Sequence, residues 1–190
     1  GGYWYSPGSG GLSLSGVGDP AYLETVFVGN GFFSTLGVKP VLGRMLLPEE
    51  DAVGKNHVAV ISYPFWQRVF GGAANVLGKT VQLNGESYEI IGVAPPKFGA
   101  TSKVDLWMPM AFKAEELTND NRGSHYVAAA GRLRPGVTAR AADAELKLIA
   151  AQLERQYPSS NNGWSAFVKP YLDYLVADIK AILYTLLAAV

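Results

Sequence analysis

Cysteine is absent from the 190 residues, which excludes disulfides, thiolate metal sites and cysteine nucleophiles while leaving the redox compartment open. Histidine is nearly absent. His57 and His125 are the two in the chain, and neither stands in the Gly-x-Ser-x-Gly setting of an esterase elbow. One begins an apolar run and the other precedes one, so both read as surface or edge residues, because a general base needs an orienting partner. A hydrolase reading rests on a His–acid pair that the sequence does not display. Glu86 and Glu89 do not supply a paired acid and base, since three residues apart on a strand they point to opposite faces. Net charge is absent too: sixteen basic residues balance sixteen acidic ones, and without a basic stripe there is no field to draw nucleic acid. The glycine-rich residues 8–18 lack the Lys-Ser/Thr ending of a nucleotide loop, and Gly71-Gly72 precedes a strand and not a helix. No ATPase site and no cofactor is implied. Also lacking is an uninterrupted apolar run of about 20 residues, the length of a membrane span.

What is present is a folded, turn-rich composition, with 48% hydrophobic and 12% aromatic residues, 22 glycines and 11 prolines. It suits one ordinary domain or two small lobes. The organising stretch is residues 71–96. Residues 79–83 (KTVQL) and 87–93 (SYEIIGV) are β-rich runs joined across Asn84-Gly85, the dipeptide that best accepts the two positive φ angles of a tight hairpin. Gly78 and Pro95-Pro96 isolate the hairpin.

Before it, a Leu12-Ser-Leu14 alternation predicts a short strand, residues 22–28 (YLETVFV) a second, and Asn30 caps a short helix that carries Phe32, Phe33 and Leu36 inward. Residues 57–62 (HVAVIS) predict a strand, and Ser62 or Tyr63 followed by Pro64 opens a helix whose bulky face holds Phe65, Trp66, Val69 and Phe70. After it come strands over 104–108, 126–133 and 164–169. Between the last two, Thr138 caps the longest helix, about five turns, with Ala142, Leu146, Ile149, Ala150, Leu153 and Tyr157 on one face. Strands and helices neither alternate strictly nor segregate, which is an α+β pattern.

Three sets of residues invite a functional reading. Tyr3, Trp4 and Tyr5 read as a ligand platform or, more simply, as the cover of a core edge. Glu49, Glu50 and Asp51 form an acidic loop; a metal site there lacks any histidine or further acid at ligand spacing, and a solvated loop explains it as well. Residues 113–124, with Glu115, Glu116 and Arg122, are the most polar part of the chain and predict an exposed contact surface.

A set of motifs in order carries more: residues 28–44 (VGNGFFSTLGVKPVLGR), 58–68 (VAVISYPFWQR), 70–72 (FGG), 76–79 (VLGK), 83–85 (LNG), 88–95 (YEIIGVAP) and 131–138 (GRLRPGVT). Together they resemble the MacB-like periplasmic core domain of ABC transporter permeases, the macrolide-exporter and lipoprotein-release type. The resemblance runs from about residue 12 to 175. It departs at Asn30, one place earlier than the family's Asn-Phe-Phe, and at Ala73-Ala74, which replace an acidic residue.

The resemblance implies a two-lobed extracytoplasmic domain, with a porter-like α+β lobe built from the start of the chain and the long helix, and a mostly β inserted lobe holding the hairpin. It implies that residues 1–175 are the core domain and that 176–190 begin a transmembrane helix. Without that resemblance the uncharged residues 181–190 (AILYTLLAAV) equally suit a packed amphipathic helix, since Leu172, Leu175, Val176, Ile179, Ile182 and Leu183 recur at helical spacing. The opening Gly1-Gly2-Tyr3, with no initiator methionine or signal segment, reads as the interior of a longer protein.

The function implied is non-enzymatic: the domain couples ATP-driven motion of membrane helices to export or release of a substrate. Its implied partners are an ABC ATPase subunit or domain, a membrane-fusion protein and a second permease in a homo- or heterodimer, at the bacterial inner membrane with the domain facing the periplasm. Glu49, Glu50, Asp51, Glu115, Glu116 and Arg122 are the expected partner contacts. The alternative is a freestanding periplasmic module that binds a peptide or glycan near residues 3–5.

Overall fold

Asn84 and Gly85 take φ of 51° and 85°, the two left-handed conformations that a two-residue hairpin turn with the right-handed strand twist requires. The arms they join pair antiparallel, Leu83 opposite Glu86 and Thr80 opposite Glu89. The computed structural model describes residues 2–5, 11–99 and 103–176. It divides into two compact units, Gly1–Arg132 and Leu133–Val190.

The first unit is built on one mixed sheet. Its strands are β1 (Gly2–Tyr5), β2 (Leu12–Ser15), β3 (Ala21–Leu23), β4 (Thr25–Val28), β5 (Leu42–Gly43), β6 (Val58–Ile61), β7 (Thr80–Leu83), β8 (Glu86–Val93), β9 (Leu106–Pro109) and β10 (Ala128–Ala130). Among the described residues the order is β10-β1-β4-β9-β6-β8-β7-β2-β3, with β5 also against β8. Two pairs are parallel, β4 with β9 and β6 with β8; the other ladders are antiparallel. Because strand residues alternate between faces, the sheet carries a core on each side. Ala59, Ile61, Ile90, Leu106 and Met108 belong to one cluster, and Val26, Val28, Val60, Ile91 and Trp107 to the other.

One helix closes each cluster. In α1 (Phe32–Leu36), Phe32 and Phe33 turn inward, and Phe33 meets Trp107 edge-on at 6.0 Å between ring centroids. In α2 (Tyr63–Phe70), Ser62 Oγ accepts a hydrogen bond from the Phe65 N–H at 3.2 Å, so the predicted start holds, and Phe65 is fully buried. The cap of α1 differs from expectation: Gly31 occupies that position with no side-chain bond, and the Asn30 backbone N–H is instead taken by Asp51.

Three further differences have physical causes. The strand expected over 22–28 breaks at Glu24, whose carbonyl accepts from the Asp105 N–H (2.8 Å) and whose N–H donates to the Asp105 carboxylate (3.1 Å). The strand expected over 126–133 shortens to β10, which lies at an end of the sheet and pairs with β1 alone among the described strands. The expected division of the chain's start from the hairpin is not what the sheet shows, since β2 pairs directly with β7, Leu14 opposite Leu83. The mixed α+β class stands.

In the second unit, α3 (Ala139–Gln156) starts where Thr138 Oγ1 accepts the Ala141 N–H at 3.2 Å. No residue of α3 is buried, and Leu146 and Ile149 on its predicted apolar face are 38% and 42% exposed. The helices α4 (Pro158–Asn161) and α5 (Tyr171–Leu175) follow. No strand forms over 164–169. Asp143, held at 2.8 Å by Lys147 one turn on, accepts the Val168 N–H at 2.9 Å, which spends that donor on a side chain rather than on a ladder. Among the described residues no helix is long and apolar enough to cross a membrane. Residues 177–190, where such a span was expected to develop, lie outside the described ones.

Gly92 lies where a Cβ would run into the Arg44 carbonyl, whereas a Cβ on Gly131 would meet nothing within 4 Å. Gly92→Ala is therefore expected to cost about 1–3 kcal/mol as an overpacked substitution, with Gly131→Ala close to neutral, when the two urea midpoints are compared with the parent's.

Candidate contact site

The acidic residues 49–51 fold into a turn of 3-10 helix, Pro48–Asp51, and their carboxylates diverge. Glu49 faces solvent. Glu50 is buried at 7% exposure, contrary to the expected open loop, and forms a two-point ion pair with Arg44, Nη2 to Oε1 at 2.6 Å and Nη1 to Oε2 at 3.0 Å. The Leu47 N–H adds a third bond at 2.8 Å. Burial pushes the Glu50 carboxyl up, but the Arg44 and Leu47 hydrogen bonds and the Arg44 charge outweigh it and hold the group below its ordinary value of 4.5.

Asp51 is a staple. Its Oδ2 accepts the Asn30 N–H (3.2 Å) at the β4–α1 turn and its Oδ1 accepts the Ala111 N–H (2.9 Å) just past β9. Ala111 is buried with a φ of 42°, a left-handed conformation that costs a non-glycine residue about 1 kcal/mol or more. The Asp51 bond helps to hold it. Two expected contact segments, distant in sequence, thus meet at this bond, since Ala111 is the root of the 113–124 segment.

That segment is exposed and bonded largely to itself. Glu116 Oε2 accepts the Lys113 N–H at 2.8 Å, closing a capping box. Asn121 Nδ2 donates to the Glu115 carbonyl at 2.6 Å, and Arg122 Nη2 to Asn119 Oδ1 at 3.2 Å. Beneath it opens a cleft of about 390 Å³ lined by Phe27, Met110, Phe112 and Tyr126, with Glu116, Asn121 and Ser124 at its polar side. Of the expected contact residues, only Glu116 lines this cleft. The sequence reading missed its apolar members and Arg44. Phe27 alternates on β4 with the buried Val26 and Val28, which is a signal for a sheet face but not for a void.

The remaining chemically active side chains lie elsewhere. His57 stacks on Tyr88 (5.0 Å between centroids, 26° between planes) and its Nε2 stands 3.5 Å from Glu86 Oε2. The Tyr88 hydroxyl donates to that same carboxylate oxygen at 2.9 Å; burial first, then the Glu86 bond and charge, push the phenol up to about 12. His125 Nδ1 lies 2.6 Å from the Gly123 carbonyl, so with that nitrogen protonated it donates there. Among the described residues no group of histidines and carboxylates is placed to hold a metal ion. Of the residue 3–5 aromatics, Trp4 packs against Phe32 at 5.7 Å, while the side chains of Tyr3 and Tyr5 lie outside what is described.

A mixed sheet with a core on each face and short helices across both make the first unit an α+β domain. The periplasmic region of MacB from Actinobacillus actinomycetemcomitans superposes with a TM-score of 0.55 at 20% identity, over 84% of this chain and 68% of that one. The extracellular domain of the ABC-type transporter YknZ from Gram-positive bacteria gives 0.56 at 14% identity, over 82% and 75%. The sequence model of the MacB-like periplasmic core domain matches residues 5–149. The chain belongs to that family. It is also 28% identical over 130 residues to the macrolide export ATP-binding/permease protein MacB of Burkholderia lata, covering 66% of this chain and 18% of that protein.

Two outcomes are expected at this site. Because the Glu50 carboxyl is depressed in the folded state, its contribution is fully present above the ordinary glutamate value and is lost as pH falls through the lower, folded value. Unfolding followed from pH 6 down to 2 should therefore lose part of its acid sensitivity in Glu50→Gln, at about 1–2 kcal/mol lower stability near neutrality. Asp51→Ala should raise amide exchange at Asn30 and Ala111 above the parent rate by about tenfold, leaving the hairpin amides unchanged.

Proposed function

We propose that this chain is the extracytoplasmic domain of an ABC transporter permease, and that it passes ATP-driven motion of membrane helices to the export or release of a substrate through periplasmic partners. The observation that carries this reading is the ordered match of residues 5–149 to the MacB-like periplasmic core domain. The chain spans 18% of the length of its Burkholderia relative. The proposed reading puts ATP hydrolysis on another domain or subunit and takes this domain as non-enzymatic.

The architecture suits the task. A sheet packed on both faces deforms little, so a displacement applied to one of its edges reaches the loops as a rigid-body movement. In this reading the motion enters from the membrane helices of the parent permease. Glu49, Glu115, Glu116 and Arg122 are the contacts offered to a membrane-fusion protein or a second permease, while Glu50 and Asp51 hold the contact segments in place. The domain faces the periplasm from the inner membrane.

The absence of cysteine in the chain gives a direct test. In a cysteine-free version of the parent permease, Glu49→Cys and Glu115→Cys should react with a membrane-impermeant maleimide in intact spheroplasts. In vesicles that expose this face, the Glu115→Cys labelling rate should change when ATP hydrolysis is arrested by vanadate. Labelling from the cytoplasmic side alone would sink the topology; equal rates with and without vanadate would sink the coupling.

A further inference from the structure

The cleft under residues 113–124 carries charge of one sign. Glu116 supplies it, fixed by the 2.8 Å bond from the Lys113 N–H to its Oε2, and its other carboxylate oxygen takes no hydrogen bond among the described residues. The described lining includes no lysine or arginine. The apolar part is aromatic and sulfur-bearing: Phe27, Met110 and Phe112 are half-buried, and Tyr126 is 42% exposed.

An organic cation is attracted to such a recess twice, by the carboxylate and by the quadrupoles of the rings, and both attractions grow as water is displaced. A neutral apolar ligand would desolvate the carboxylate without compensating it. An anion would be repelled. The volume of about 390 Å³ lies within the range of small-ligand sites and is larger than a single side-chain slot requires.

We propose that this cleft binds a small organic cation, an ammonium on an apolar stem, with the charged head at Glu116 and the stem against Phe27 and Phe112. The assignment goes beyond the transport reading and stands or falls separately from it, because every group invoked belongs to the first unit of the chain.

The probe is 2-phenylethylammonium, titrated into the 15N-labelled 190-residue chain, with 2-phenylethanol as its neutral counterpart. Saturable amide shifts confined to residues around 27 and 110–126 are expected for the ammonium at about millimolar concentration, and binding at least tenfold weaker for the alcohol. Glu116→Gln should weaken the ammonium by a similar factor, and Phe112→Leu by several-fold. Glu115→Gln, outside the cleft, should bind as the parent does. Each variant's own unliganded spectrum reports whether it is folded. Equal binding of alcohol and ammonium, unchanged binding in both Glu116→Gln and Phe112→Leu, or no saturable shift would overturn the proposal. So would binding only of a lysine-containing peptide, which would make the cleft a slot for a partner's side chain.

Discussion

The structure depends on β9 being dry on both faces. Leu106, Trp107 and Met108 are 0%, 2% and 2% exposed, and their alternation sends Trp107 into one cluster and its two neighbours into the other. A strand at a sheet's centre has no face left for solvent: the ladders to β4 and β6 meet its backbone groups, and the groups just beyond its ends need other partners. Carboxylates serve on both sides. Asp105, before the strand, accepts the Glu24 N–H and binds Arg68 at 2.8 Å. Beyond it Asp51 accepts the Ala111 N–H. The first places β4 beside β9, and the second fixes how the polar segment leaves the sheet.

Acidic residues therefore do two different jobs in this protein. Glu50 and Asp51 are internal fasteners whose oxygens face arginine and backbone N–H groups. Glu49 and Glu115 stand at the surface, and Glu116 does both, with one oxygen closing a cap and the carboxylate lining a cleft. Sequence proximity is a poor guide to which job a residue has, since Glu49 and Glu50 are neighbours with opposite environments. What separates them is Arg44, six residues upstream, whose planar fork selects one carboxylate and draws it under the loop.

Local signals in the sequence were strong where the cause of the structure is local. Asn84-Gly85 fixes its own turn, Ser62 with Pro64 and Thr138 start their helices through bonds within three residues, and the apolar run of β6 and the β-rich run of β8 mark strands wherever these lie. Failures followed from long-range causes. The break at Glu24 comes from Asp105, Asn30 is held by Asp51 through its backbone N–H while Gly31 takes the cap position of α1, and the strand lost over 164–169 gives its Val168 N–H to Asp143 on a helix. Each partner is 20 or more residues away. The cleft was illegible for a related reason: a void is set by what β4 and the 110–126 stretch leave unfilled between them, and no residue in it carries a sequence motif. Family resemblance reached the fold through motif order, which integrates those distant constraints without identifying them.

The parallel pairing of β4 with β9, Val26 opposite Trp107, also fixes an order of events during synthesis. β4 leaves the ribosome about 80 residues ahead of the strand that completes it, and at 5–20 residues per second its buried valines wait for several seconds without their partner. The hairpin of β7 and β8, by contrast, closes within its own length. A nascent chain of this design holds a finished ribbon and an unfinished sheet centre at the same time, with apolar strand surface left uncovered until Trp107 emerges.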